Sequence, residues 1–159
     1  MMRHLWSPWR MKYLLEATPK SCIFCDRAQA GDDDRNLIVF RGRHHYVILN
    51  LYPYSTGHLM LVTNRHAPVL SSLTDAERAE SVELLVRIER VFARTYEPDG
   101  ANLGVNLGRC AGAGVEGHFH LHYVPRRAGD TGDISARNAT EPPEELGRTL
   151  QRLRKAFAG

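Results

Sequence analysis

Polar and apolar residues alternate strictly through HFHLHY, residues 118–123, with histidine at 118, 120 and 122 and Phe119, Leu121 and Tyr123 between and after them. Successive side chains of an extended strand point to opposite faces, so the pattern predicts a strand with one apolar side and a row of imidazoles on the other. On a helix the three rings would scatter around the cylinder. Runs rich in β-formers predict further strands over 37–40, 45–50, 58–63 and 101–107, and the Pro, Ser and Gly of LYPYSTGH mark a turn between two of them. Between residues 74 and 97 the period changes. Thr74 and Glu77 stand at capping-box spacing, and Val82, Leu85, Ile88 and Phe92 follow at three- and four-residue steps. That predicts an amphipathic helix of about twenty residues, ended by Pro98, Asp99 and Gly100. Leu146, Leu150, Leu153 and Phe157 predict a C-terminal helix. The strand-to-strand links are mostly too short for parallel crossovers. The expected fold is therefore α+β: an antiparallel sheet with helices packed on one side.

A chain of 159 residues is most simply one domain, 1–159, with an N-terminal arm over 1–35. A net charge of +3 suits an anionic substrate but gives no case for a nucleic-acid surface. The sequence holds no apolar run of membrane-spanning length, and MMRHLWSPWR lacks the apolar core of a signal peptide, so the expected location is cytoplasmic. Two of the three cysteines form Cys22-Ile23-Phe24-Cys25. In a reducing compartment that spacing points to a metal or to redox chemistry rather than to a structural disulfide. The strand–CxxC–helix opening of a redox unit is missing, which favours the metal.

Three imidazoles about 5–7 Å apart on one face repel one another when charged, and such clusters tend to be functional. The loop before them carries glycines at 108, 112, 114 and 117, whose backbone N–H groups can approach an anion without side-chain obstruction. A neutral imidazole is a good nucleophile toward phosphorus, and neighbouring rings can hold its tautomer or stabilise the phosphoryl oxygens. The competing reading is a zinc site, with Cys22 and Cys25 as half of it and the other half drawn from His58, His66 and the histidine row.

HFHLHYV resembles the His-x-His-x-His signature of the histidine triad superfamily of nucleotide hydrolases and transferases. The likeness extends to CIFC, to NLYPYSTGHLM, to the Arg65-His66 pair, to Asn106 with the AGAG loop, and to the Pro-Arg after the row. The opening LWSPWRMKYL is similar to the branch that holds bacterial diadenosine tetraphosphate phosphorylases and ATP adenylyltransferase-like enzymes. The resemblance implies a sheet of about five antiparallel strands with a long central helix and a C-terminal helix, in a homodimer. It implies that His120 attacks an α-phosphate to form a nucleotidyl-histidine, with His118, His122 and His58 completing the catalytic group. It further implies structural zinc on Cys22, Cys25, His66 and His118, phosphate contacts from Asn106, Gly112, Ala113 and Gly114, and a ribose contact at Asn50. The substrate would be a nucleotide or a dinucleoside polyphosphate, cleaved by phosphate or water, with neither nucleic acid nor membrane as partner. Two departures bear on substrate choice: Ala113 stands where many relatives carry Gln, and Arg127 where the phosphorylase branch usually has Trp. Other readings are a hydrolase of small adenylylated molecules such as nucleoside phosphoramidates, a metalloenzyme with the row as its metal site, and a zinc-bearing binding module.

Overall fold

The computed structural model describes residues 21–130 and 143–159; the aromatic stretch with Trp6 and Trp9 and the polar turn at 131–133 lie outside the described residues. Five strands form one sheet in the order β1-β2-β3-β5-β4, with every neighbouring pair antiparallel. They are β1 (Ile38–Arg41), β2 (His45–Leu49), β3 (Leu59–Thr63), β4 (Gly100–Gly104) and β5 (His120–Arg126). The helices are α1 (Ile23–Gln29), α2 (Asp75–Thr95) and α3 (Leu146–Ala158). None of the described helices is long and apolar enough to cross a membrane.

The alternation along each strand divides the core. Val47, Leu49, Leu59, Leu61 and Tyr123 pack against Leu84, Ile88, Val91 and Phe92 of α2 and against Leu150, Leu153 and Phe157 of α3. Tyr46, Ile48, Met60 and Val62 pack with Phe24 of α1. Directly opposed residues in neighbouring strands share a face, and Met60 opposes His122 while Val62 opposes His120. The histidine row thus lies on the α1 side of the sheet. Helix α1 was not expected from the sequence: Cys22 is its N-cap and Cys25 falls in its first turn.

Thr74 opens α2 as a capping box: its hydroxyl accepts from the Glu77 N–H at 3.2 Å, and the Glu77 carboxylate accepts from the Thr74 N–H at 2.7 Å. Arg65 donates to both Glu77 oxygens, at 3.0 and 2.8 Å, so the segment after β3 is held to the start of α2. The Arg65 hydrogen bond is the chief reason that the Glu77 carboxyl sits at about 2. The apolar face of α2 differs from the expected one. Val82 is 62% exposed, whereas Leu84 and Val91 are buried. Six residues from Ile88, Val82 lies about 120° around the helix from the buried centre. Glycine is required at position 57, in the turn before β3: φ is +83°, and a Cβ there would come within 2.6 Å of the Phe92 ring.

Candidate functional site

His118, His120, His122 and His58 are all buried and stand side by side. Strand β5 supplies His120 and His122, His118 lies two residues before the first of them, and His58 is delivered by the last residue of the turn before β3. Ser55 Oγ fastens that turn to β5 by donating to the Pro125 carbonyl at 2.7 Å.

The contacts assign a tautomer to each ring. His120 Nδ1 is 2.8 Å from the His118 carbonyl. A carbonyl only accepts, so Nδ1 carries the proton and Nε2 keeps its lone pair. His58 Nδ1 accepts from the Tyr54 N–H at 3.2 Å, so its proton is on Nε2, which donates to His122 Nδ1 at 2.9 Å. Asn50 Nδ2 is 3.4 Å from the same His58 nitrogen, a contact of the wrong polarity to displace that bond, while Asn50 Oδ1 accepts from the Tyr52 N–H at 3.0 Å. His122 is left with its proton on Nε2. Two adjacent rings, centroids 5.1 Å apart, thus carry complementary Nε2 atoms, a lone pair on His120 and an N–H on His122. Burial favours the neutral rings. It draws His122 down to about 4, with the His120 charge adding to it, and holds His120 below the usual histidine range. His58 lies well below that range through burial first, then through the His122 and Arg126 charges.

Cys22, Cys25, His66 and His118 bring their ligand atoms within 4.8 Å of one another. The Cys22 sulfur lies 3.3 Å and the Cys25 sulfur 3.5 Å from His118 Nδ1, and Cys25 Sγ is 3.3 Å from His66 Nδ1. Tetrahedral zinc with ordinary Zn–S and Zn–N lengths places such atoms about 3.5 Å apart, so the donor set fits zinc. His118 Nε2 donates to the Thr63 carbonyl at 2.8 Å, which turns the Nδ1 lone pair toward the sulfurs. Burial and the Cys22 sulfur push the Cys25 thiol up to about 11, so ligation must release its proton.

Asn106 is half-buried beyond β4. In the glycine loop the Gly112 N–H donates to the Arg109 carbonyl at 2.9 Å, and the Ala113 N–H to the Gly108 carbonyl at 3.3 Å. Val115 packs against the cluster on the histidine side of the sheet, so the loop is anchored beside the row. Arg127, which stands where the phosphorylase branch usually has Trp, donates to the Glu97 and Tyr96 carbonyls, at 2.6 and 2.5 Å, at the end of α2. Arg126, of the Pro-Arg after the row, carries no role readable from that motif alone. It is 7% exposed, on the same strand face as His122 four residues before it, and donates to Asn102 Oδ1 at 2.8 Å. Extending the alternation beyond His122 through Val124 places it on that face.

The family model for the HIT domain matches residues 33–129. The chain is 38% identical to the AP-4-A phosphorylase of Mycobacterium tuberculosis (strain ATCC 25618 / H37Rv) over 161 residues, covering 96% of this chain and 82% of that protein. It is 36% identical over 110 residues to an uncharacterized HIT-like protein of Mycoplasma genitalium, covering 69% of this chain and 75% of that one. Among solved structures it is similar to a zinc-bound histidine triad family protein from Mycobacterium smegmatis, with a TM-score of 0.71, 27% identity, and coverage of 87% of this chain and 94% of that chain.

Proposed function

Because the chain belongs to the HIT domain family, we propose that it is an enzyme cleaving a phosphoanhydride of a dinucleoside polyphosphate at the α-phosphate. Cleavage runs through a nucleotidyl-His120 intermediate, with inorganic phosphate or water as acceptor. The observation that carries this reading is the pair of complementary Nε2 atoms on His120 and His122. The relative named as an AP-4-A phosphorylase supports the substrate class.

In the first step His120 Nε2 forms a bond to the α-phosphorus, and the bond from phosphorus to the bridging oxygen breaks. The leaving polyphosphate takes that electron pair and departs as an anion. His120 becomes a cation that keeps its Nδ1 proton on the His118 carbonyl, whose dipole stabilises the new charge. The His122 N–H donates a hydrogen bond to a phosphoryl oxygen without losing its proton, since a neutral ring with one N–H has none to give cheaply. His58, its own tautomer held by the Tyr54 amide, keeps His122 in the donating form. Phosphate or water then displaces His120 and restores the lone pair.

Cys22, Cys25, His66 and His118 are proposed to hold structural zinc, which supplies a fixed tie between α1, the end of β3 and the start of the histidine row. Asn106 with Gly112, Ala113 and Gly114 is proposed to hold the phosphates, the 3.3 Å Ala113–Gly108 bond being exchanged for the ligand, and Asn50 the ribose. The chain acts as one domain in a homodimer; Leu103 on the terminal strand β4, 51% exposed, supports a partner along that edge. A second reading, hydrolysis of small adenylylated molecules, is favoured by one observation: Arg127 is occupied at the end of α2, so that position offers no grip to a second nucleoside.

The test is product analysis with diadenosine tetraphosphate. ATP plus ADP only when phosphate is present identifies a phosphorylase, and ATP plus AMP without phosphate a hydrolase. Cleavage of a nucleoside phosphoramidate alone selects the second reading. His120→Ala is expected to abolish turnover with zinc stoichiometry and fold retained, and a His120→Ala variant that still turns over ends the proposal.

A further inference from the structure

Phe24 stands between the two cysteines in sequence and between the metal cluster and the nucleophile in space. Phe24 is 3% exposed. The ring centroid is 5.5 Å from that of His118, edge-on at 70°, and 4.9 Å from that of His120, tilted at 50°. The backbone of the same residue is fixed as well: the Phe24 carbonyl accepts from the Tyr46 hydroxyl at 2.8 Å, and Tyr46 is fully buried in β2. Cys22 and Cys25, the residues that bracket it, both lie against His118 Nδ1. Two physical links therefore run from the cluster to His120. One is the His118 carbonyl on the His120 Nδ1 proton, which sets the tautomer. The other is the Phe24 ring, which packs against the imidazole with centroids 4.9 Å apart.

We propose that Phe24 is a positioning residue for the nucleophile, and that ligation of the flanking cysteines seats its ring so that metal occupancy and the aim of His120 are coupled. The inference rests on the reading of His120 as the nucleophile and extends it: zinc serves the reaction without touching substrate, through an aromatic side chain held by two of its ligands. In-line attack on phosphorus tolerates little misalignment, so a ring free to rock on its Cβ reacts more slowly though it binds nucleotide equally well. A purely structural Phe24 lowers stability and leaves the folded enzyme with an unchanged kcat.

The experiment compares the full chain with Phe24→Leu, each zinc-loaded and after chelation, by ring-nitrogen NMR of the histidines and by steady-state kinetics with diadenosine tetraphosphate. In the unmutated protein, zinc is expected to collect the His120 ring signals into a single Nδ1–H form that broadens or shifts on metal removal. Phe24→Leu is expected to bind one zinc per chain with its His120 signals resembling the metal-free protein. Its kcat should fall about tenfold, the rate equivalent of losing one aromatic contact of this kind, with KM within about twofold. Chelation should then lower its kcat by a smaller factor than in the unmutated enzyme. A zinc-loaded Phe24→Leu variant with unmutated His120 signals and kcat overturns the proposal. If Phe24→Leu does not fold, the conservative Phe24→Met is compared in the same way: a shifted His120 signal at full zinc occupancy supports the positioning role, and an unchanged one overturns it. Failure of the unmutated protein to cleave any nucleotide overturns the functional reading instead, and the ring signals then decide the coupling by themselves.

Discussion

At the scale of single residues, positions 57 and 82 separate what a side chain's type implies from what its neighbours impose. Gly57→Ala has to accept a left-handed backbone and a methyl group driven into Phe92, a ring with no exposed surface. The expected loss is about 2–4 kcal/mol, read as a lower urea midpoint at unchanged slope. Val82 is apolar and falls on a plausible helical stripe, yet it faces solvent. Val82→Lys should change stability by no more than about 0.5 kcal/mol, and Leu84→Ala, one helical face away, should cost about 2–5 kcal/mol. Equal losses at the two positions would contradict the packing of α2. The histidines are the reverse case: their types and spacing were plain in the sequence, but the tautomers follow from the Tyr54 amide and the His118 carbonyl, backbone groups that no motif displays.

Among elements, α1 and the end of α2 show how short segments set the surroundings of the site. Cys22→Ser and Cys25→Ser should each abolish stoichiometric zinc binding and lower the melting temperature, because metal affinity and folding are one equilibrium in such sites. A variant that keeps both would show that these cysteines hold no metal. Arg127 ties the start of the segment after β5 to the Tyr96 and Glu97 carbonyls just past α2. Arg127→Ala is expected to lower the melting temperature by roughly 2–4 °C, the scale of one lost backbone-capping interaction in a chain of this size, with KM for nucleotide unchanged. A higher KM at unchanged stability would show instead that Arg127 contacts the nucleotide.

For the whole molecule, burying several neutral histidines makes stability depend on pH in a defined direction. His58 lies well below the ordinary histidine range and His122 near 4, so between about 6.5 and 4 the unfolded chain binds protons that the folded chain does not. Stability is complete above about 6.5 and falls as pH drops, by about 1.4 kcal/mol per unit for each such group, until the folded-state values are reached. Urea midpoints measured from pH 8 to 4 should therefore decline through this window. His122→Gln should flatten the decline, and an equally steep profile in that variant would remove His122 from the linkage. The proposed homodimer is a separate matter of concentration: Leu103→Lys on the β4 edge should shift the mass seen by light scattering from two chains to one.

Much of this architecture was legible in the sequence, because strands and helices announce themselves by period. Strict alternation placed His120 and His122 on one face of β5, and the Thr74–Glu77 spacing marked the start of α2. The short links dictated antiparallel pairing, and the Cys22–Cys25 spacing pointed to a metal; that His66 and His118 complete the set was implied by the resemblance, and the structure brings the four ligand atoms within 4.8 Å of one another. Only the tertiary structure decided the rest. It decided which helical stripe of α2 is buried, that a helix begins at the first cysteine, that Arg127 is bonded to the end of α2, and that the Phe24 ring lies over His120. These depend on contacts between residues distant in the chain, such as Tyr46 with Phe24 and His58 with His122. Local pattern states what a segment can bury or present, and long-range packing selects the partner that meets it.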